Sequence, residues 1–468
     1  VTTLVEVVSW LAIAYFALLN VTYAILIALS FMESGRYHGR APYSGDDIIL
    51  RSSFTPPVSI LVPAYNEEAT IADSIRQTCF LEYGEYEVIV IDDGSTDGTF
   101  ATLEQAFDLE PTPAPVRRQL ASAEILGVYA SRTRAGLTVV RKANGGKADA
   151  LNAGVNLSRY PLICAVDADA ILEKDALLRV VKPFIEDPSH TIATAGIVRV
   201  LNGCTLSPGV IDRVKASRKL LPLIQNVEYL RAFLAGRTGW SRIRALSIIS
   251  GAFGVFRKDA VVAAGGWRTD TVGEDMDLAL RLRRVEAEQG GHQRVVFVPD
   301  PVVWTQVPET VRDLAGQRNR WQRGLLESLV HNRGMIANPR YGTLGCLALP
   351  YNLLFEVIGP FVEVAGYFVV ISAAIAGLVD PGFFALFFLL AVGCGVALST
   401  AAILLEEMWL RRYSSASDLC WLFLGAVVEN FGYRQLTALW RVWATFDYLR
   451  GTGGWGHIQR QGLATDER

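Results

Sequence analysis

The sequence predicts an α/β domain with a mostly parallel sheet, flanked by transmembrane helices. Two observations carry this fold class. Between Ser52 and Arg340 one grammar repeats four times: an apolar, β-branched run, a polar turn, then a helical pattern. It appears in VSILVPAYNEEATIADSIRQ, YEVIVIDDGSTDGTFATLEQAF, GLTVVRKANGGKADALNAGVN and YPLICAVDADAILEKDALLRVV. Continuous apolar strands alternating with helices indicate a parallel sheet with crossover helices. The second observation is that long apolar stretches lie at the two ends of the chain and not between them.

Taken in order, Leu4 to Phe31 holds Glu6 as its one charged residue. It is longer than the ~7–15 residues of a signal-peptide core, and ~20 residues suffice to cross a bilayer. Arg36, Arg40 and Arg51 follow it, so the positive-inside rule places the next domain in the cytoplasm. A cleaved signal peptide is the alternative. The chain opens on Val, so some N-terminal sequence is expected to be missing. Apolar sequence returns at Leu344–Val379, where Pro350, Glu356 and Pro360 suggest an interfacial piece before a span at about Pro360–Val379. Pro381 to Leu405 reads as a further span, followed by Arg411 and Arg412. Leu419 to Leu449 mixes Glu429, Arg434, Gln435 and Arg441 with aromatic residues, which suits a re-entrant or broken hairpin. One span plus a surface helix fits it equally. The expected organisation is an N-terminal anchor over 1–33, a soluble domain over 52–307, amphipathic interfacial helices over 308–343, a membrane region over 344–450 and a cytoplasmic tail over 451–468.

With 44 basic and 47 acidic residues the net charge is −3, which lends no support to a nucleic-acid partner. The six cysteines are scattered without a C-x-x-C pair and read as reduced, mostly buried thiols. The five histidines are dispersed as well, so a metal would be held by oxygens.

In sheets of this kind ligands bind at the carboxyl ends of the strands. Four polar clusters fall there: Tyr65-Asn66-Glu67, Asp92-Asp93-Gly94, Asn144-Gly145-Gly146-Lys147 and Asp167-Ala168-Asp169. Asp-Gly is also an ordinary turn, with Ser95 or Thr96 as a helix cap. The Gly-Gly-Lys run lacks P-loop spacing and suits a helix start equally well. Asp167 and Asp169 offer two hard oxygen ligands for Mg2+ or Mn2+ beside a diphosphate, or a solvated turn. Thr271 and Glu274 match a capping box, which leaves Asp275 and Asp277 unexplained. Asp275 is a general-base candidate. On a helix, Gln317, Arg320 and Trp321 share one face, joining an amide, a guanidinium that can grip phosphate and an indole that can stack on a ring. A basic amphipathic helix at a membrane surface is the plainer reading. Glu110–Gly136 interrupts the alternation and reads as a surface insertion.

Taken together and in this order, PAYNE, DDGSTD, GGKADALN, DAD, SGAFGVFR, VGEDMD and QRNRW resemble a known family. It is the membrane-embedded family 2 glycosyltransferases, the group of cellulose, hyaluronan and poly-N-acetylglucosamine synthases. The resemblance covers about Pro57–Gly324. It implies a GT-A-type nucleotide-sugar-binding domain and inverting transfer from a UDP-sugar to a growing β-linked polysaccharide. Asp92 and Asp93 would bind the uridine end, with Tyr65 and Glu67 nearby, and Lys147 would meet the nucleotide or donor. Asp167 and Asp169 would face sugar, diphosphate and metal (Mg2+ or Mn2+), with Asp169 the primary ligand. Asp275, beside Glu274, would deprotonate the acceptor. Arg320 would steady the leaving diphosphate, Gln317 and Trp321 would hold the acceptor, and Phe253 would lie along its path. The implied setting is the plasma (inner) membrane with the catalytic domain cytoplasmic, and accessory secretion subunits as further partners.

Two departures stand out: Gly273 precedes Glu274-Asp275 where the family often has Thr, and no PilZ-like region or F-x-V-T-x-K-like segment is seen. Two other readings stay open. One is a non-processive enzyme that adds a single sugar to a lipid. The other is a transport or scaffold protein whose domain only binds nucleotide. Donor identity is open, with a lean toward N-acetylglucosamine.

Overall fold

The computed structural model describes residues 2–40, 45, 49, 52, 54–113, 115–207, 210–291, 294–377, 380–413 and 415–451. Arg51, the Val379 end of the expected span and nearly all of the expected tail lie outside the described residues. The chain forms two compact units, one holding residues 39–214 and 246–306, the other holding 215–245 with the two apolar ends. Residues 215–245, expected within the soluble domain, thus group with the apolar helices.

The first unit is built on strands β1 (Val58–Ala64), β2 (Tyr86–Asp92), β3 (Leu109–Pro111), β4 (Ile125–Ser131), β5 (Leu137–Lys142) and β6 (Leu162–Val166). They continue with β7 (Ile171–Leu172), β8 (Thr191–Val200), β9 (Thr205–Ser207), β10 (Val210–Arg213), β11 (Phe253–Arg257) and β12 (Arg294–Thr305). Ten of them make one sheet in the order β3-β4-β5-β2-β1-β6-β11-β8-β12-β7, and β9 pairs with β10. The four expected strands β5, β2, β1 and β6 run parallel at its centre. The insertion adds antiparallel β3 and β4 at one edge.

All of β1 is buried and nearly all of β2, as strands covered on both faces must be. The helix Lys147–Leu157 lies against them at Gly154, where a Cβ would come within 3.1 Å of both Ile91 Cδ1 and Leu61 Cδ2. That close approach needs glycine and sets where Lys147, the first residue of the helix, is delivered. Strand β11 runs antiparallel to β6, pairing Phe253 with Val166. Its first residues therefore return to the carboxyl end of β6, where Asp167 N donates to Ala252 O at 3.3 Å.

Among the described residues, three helices are long and apolar enough to cross a membrane: Glu6–Arg40, Leu344–Ile375 and Pro381–Trp409. The stretch around Pro350 and Pro360, expected as a separate interfacial piece, is one continuous helix. Wider turns at Leu344–Ala348 and Asn352–Ile358 adjoin the two prolines, and such turns take up the ladder bonds a proline removes. Residues 416–449 form two helices broken at Phe431 (φ −114°, ψ 102°) and Gly432 (φ 87°, ψ −49°). The cysteines are unpaired, yet only Cys164 is fully buried, while Cys346 and Cys420 are exposed. The expectation of mostly buried thiols therefore fails, and both exposed thiols sit in apolar segments.

Candidate active site

The site forms where β2, β5 and β6 end and β11 begins. Asp92 closes β2 and is 1% exposed, with its Oδ1 accepting from Ser95 N at 3.0 Å and Arg141 Nε 3.7 Å from Oδ2. Asn66, at φ 55°, accepts Thr96 N through Oδ1 at 2.8 Å, so Thr96 ties two loops together and caps no helix. Ser95 Oγ accepts Asn66 N in the same way, at 3.1 Å. Tyr65 is 42% exposed beside this seam. Glu67 is buried, its Oε2 accepting from Thr70 Oγ1 at 3.2 Å.

Asp93 is engaged by the chain itself. It is 2% exposed, and both carboxylate oxygens are spent on the chain itself: Gly145 N donates to Oδ1 at 3.0 Å, Gly146 N to Oδ2 at 2.7 Å, and Lys142 Nζ also binds Oδ1. Burial raises its pKa, opposed by Lys142 and the two amides. Asp93 therefore shapes the Asn144–Lys147 loop, with three donors of the chain on its two oxygens. Lys142 is itself fully buried between Asp93 and Asp149, 2.6 Å from Asp149 Oδ1. Sequence reading missed both Lys142 and Asp149. The one visible signal was a lysine within an otherwise apolar strand.

Lys147 gathers the site. Its Nζ lies 2.5 Å from Asp167 Oδ1, 3.1 Å from Gly251 O and 3.6 Å from Glu274 Oε1. Burial pulls its pKa down, but the combined attraction of Asp167, Glu274 and Asp275 outweighs that and holds it above its ordinary value. Gly251 binds on both sides: while its carbonyl accepts from Lys147, its N–H donates to Asp275 Oδ2 at 2.9 Å. Asp275 Oδ1 accepts from Met276 N at 2.7 Å. The carboxylate is thus held in one orientation at the N-terminus of helix Glu274–Glu288, where negative charge is favoured. Glu274 is buried, and burial with the Asp275 charge pushes its pKa up to about 7 against the pull of Lys147. The expected capping box does not form, because Gly273 takes the cap position and Thr271 Oγ1 accepts from Gly273 N at 3.1 Å. Asp277 instead pairs with Arg281 at 2.7 Å.

Asp169 sits one residue past Ala168, and burial together with the Asp167 charge pushes its pKa up to about 6. Among the described residues no group of three His, Cys, Asp or Glu side chains gathers as a metal site. Two neighbouring carboxylates nevertheless fit Mg2+ or Mn2+, which take one or two protein carboxylates and complete their shell with water and phosphate oxygens. Phe253 corrects an expectation: it is 1% exposed, inside β11, and cannot line an acceptor path. The expectation failed because β11 lies inside the sheet between β6 and β8, with residues 253–256 all buried.

Gln317, Arg320 and Trp321 lie on the helix Val311–His331 of the other unit, capped by Thr310 at Asp313 N. The neighbouring face of this helix is docked within its own unit. There Arg318 pairs with Glu228 at 2.6 Å and with Tyr433 Oη at 3.0 Å, while Gln322 Oε1 accepts from Arg441 Nε at 2.8 Å. Trp321 stays 47% exposed with the Arg318 guanidinium 4.4 Å from its ring centre. Gln317 Oε1 is buried without a hydrogen-bond partner.

A family profile described as "Glycosyltransferase like family 2" matches residues 56–324. A poly-β-1,6-N-acetyl-D-glucosamine synthase of Staphylococcus epidermidis is 29% identical over 275 residues, 59% of this chain and 56% of that protein. The synthase of the same name from Staphylococcus aureus (strain COL) is 29% identical over 303 residues, 64% of this chain and 61% of that protein. The chain spans little more than half the length of these relatives. A solved mannosyltransferase from Pyrobaculum calidifontis, in complex with GDP-Man and Mn2+, aligns with TM-score 0.49 and 19% identity over 87% of this chain and 99% of that one.

Proposed function

The chain belongs to the glycosyltransferase-like family 2, with an α/β domain of the GT-A type, and on that premise we propose that it is a polysaccharide synthase. It transfers N-acetylglucosamine from UDP-N-acetylglucosamine to the end of a growing β-linked polymer. The donor and the β-1,6 linkage are suggested by the names of the two staphylococcal relatives. The observation that carries the reading is the Lys147–Gly251–Asp275 arrangement: one backbone unit holds the cation with its carbonyl and the carboxylate with its amide.

In this reading an acceptor hydroxyl attacks the anomeric carbon from the face opposite UDP. The new C–O bond forms as the bond to the diphosphate oxygen breaks, the hydroxyl proton passes to Asp275, and UDP leaves with the bonding electrons. One displacement inverts an α-linked donor to a β-linked product. Lys147 meets the charge that develops on the leaving diphosphate, where a preorganised cation lowers the barrier. Asp169 and Asp167 would hold a divalent ion, which when bound supplies further charge neutralisation to the diphosphate. Asp92 orients the uridine end beside Tyr65 and Glu67, and Arg320 adds a second cation. Gln317, whose amide oxygen lacks a donor, and Trp321, a flat exposed indole, suit a sugar acceptor.

In this reading the transferase domain takes residues 52–214 and 246–306, and the membrane region includes 344–450. Arg36 and Arg40 after the first apolar helix support a cytoplasmic transferase domain, with the plasma membrane as the proposed setting. The product would cross through the apolar unit, with accessory secretion subunits as partners.

The test is UDP release by the full chain in detergent, screened over UDP-sugars with Mn2+, Mg2+ or EDTA, with product size read on a gel. Metal-dependent turnover of UDP-N-acetylglucosamine into high-molecular-weight polymer is expected. Asp275→Asn should lower kcat about 10³-fold or more while UDP still binds. Product confined to a lipid carrying one sugar would replace this reading with the single-transfer one, and full activity of Asp275→Asn would end it.

A further inference from the structure

At the opposite end of β6 from Asp167, the transferase unit contains a cleft of about 820 Å³. Five residues of strand separate the two ends, roughly 17 Å. The cleft is lined by Arg117, Arg159, Arg257, Lys258 and one carboxylate, Asp259, and its apolar walls include Tyr160 and Phe184. None of these residues takes part in the sugar transfer, and the cleft is independent of that reaction.

The fold brings the four cations together from separate stretches. Strand β11 ends where β6 begins, pairing Arg257 with Leu162, and Lys258 N donates to Pro161 O at 2.9 Å. The segment before β4 is tied down where Arg117 N donates to Asn156 O at 2.9 Å, and Gln119 N donates to Asn156 Oδ1 at 2.9 Å. The acidic groups nearby are already engaged. Glu87 pairs with Arg159 at 2.9 Å, Asp259 with Arg257 at 2.7 Å, and Glu85 accepts Tyr160 Oη at 2.9 Å. Arg117 makes no ion pair among the described residues. Lys258 Nζ donates to Ser158 O, and burial and the like charge of Arg117 hold its pKa below the ordinary value against the pull of Glu87.

We propose that this cleft is a second ligand site, which binds a nucleotide through its phosphates. Arginine forks bind phosphate oxygens bidentately, and Lys258 adds a point charge. The Tyr160 ring, with the Arg159 guanidinium 5.1 Å from its centre, and the Phe184 and proline walls present flat apolar surface for a base. The volume falls within the range of small-molecule sites, which is ~300–1,000 Å³.

The test titrates the full chain in detergent with a fluorescent N-methylanthraniloyl ATP, in EDTA and with saturating UDP to fill the active site. One equivalent should bind, inorganic pyrophosphate should displace it, and Arg117→Ala/Arg257→Ala should weaken it about tenfold or more. UDP release by that variant should stay at the wild-type level, which shows that the domain is intact. Binding that disappears under saturating UDP, or that is unchanged in the double variant, would overturn the proposal. So would a response to the substitutions seen only with phosphatidylglycerol nanodiscs and not with the ATP probe, which would assign the cleft to lipid headgroups.

Discussion

Lys142→Met tests whether Asp93 shapes the catalytic loop or contacts substrate. The lysine is fully buried between two carboxylates, Asp93 and Asp149, which are 2% and 9% exposed. Methionine keeps the length and removes the charge, so two buried anions are left without their cation. Breaking a buried pair by deleting one partner costs about 3–5 kcal/mol. For a domain of this size that corresponds to a fall in Tm of roughly 6–20 °C. Because Asp93 also holds Gly145 N and Gly146 N, UDP release should fall as well.

The sign with pH distinguishes this cause from a simple cavity. Asp93 already sits above its ordinary pKa through burial, and Lys142 is what restrains it. Without the lysine its folded pKa rises further. A carboxylate whose folded pKa is raised costs nothing below its unfolded pKa, and its penalty grows as pH rises toward the folded value. The gap in Tm between variant and wild type should therefore narrow as pH is lowered from about 8 to about 5. Asp93→Asn added to Lys142→Met should recover part of the loss, since one buried charge is gone. Thermal unfolding followed by tryptophan fluorescence in detergent reads all three proteins. A variant that melts within about 2 °C of wild type, or a gap that ignores pH, would refute the reasoning.

The other predictions concern the site and its surroundings. Gly251→Ala puts a Cβ 3.0 Å from Lys147 Nζ and 3.5 Å from Asp275 Oδ2, so kcat should drop at least about tenfold with little change in UDP affinity, read as a kcat-against-KM split. Phe253→Leu should cost about 1–2 kcal/mol of stability by shrinking a buried ring, with the KM for acceptor unchanged in an acceptor-dependence assay. Trp321→Ala should lower polymer yield about tenfold at unchanged UDP affinity and Tm, as the proposed acceptor role of this exposed ring requires.

Much of this protein could be read along the chain. The central parallel strands follow from unbroken apolar runs, since a strand covered on both faces needs apolar residues at every position. The three apolar helices follow from length and hydropathy alone. The grouping of Lys147, Asp167 and Asp275 at one edge was legible because strand ends in such a sheet converge, and the motifs fell at strand ends.

Other assignments depend on which way a side chain turns. Asp92 and Asp93 are adjacent and chemically equal in the sequence. In the structure Asp93 is consumed by Lys142 and two loop amides from a different strand connection, a partnership between residues 93, 142 and 149 that no local pattern encodes. Phe253 stood within a promising motif, but β11 became an interior strand buried on both faces. Along the helix Val311–His331, periodicity grouped Gln317, Arg320 and Trp321. Only tertiary packing shows that Arg318 and Gln322 anchor the neighbouring face to Glu228, Tyr433 and Arg441. Periodicity and composition thus determined the elements and the end of the sheet that bears the chemistry, because both are set by local burial. Which carboxylate holds a loop and which is held beside Lys147 and Gly251 was decided by long-range partners, because a charge takes its surroundings from groups brought to it in space.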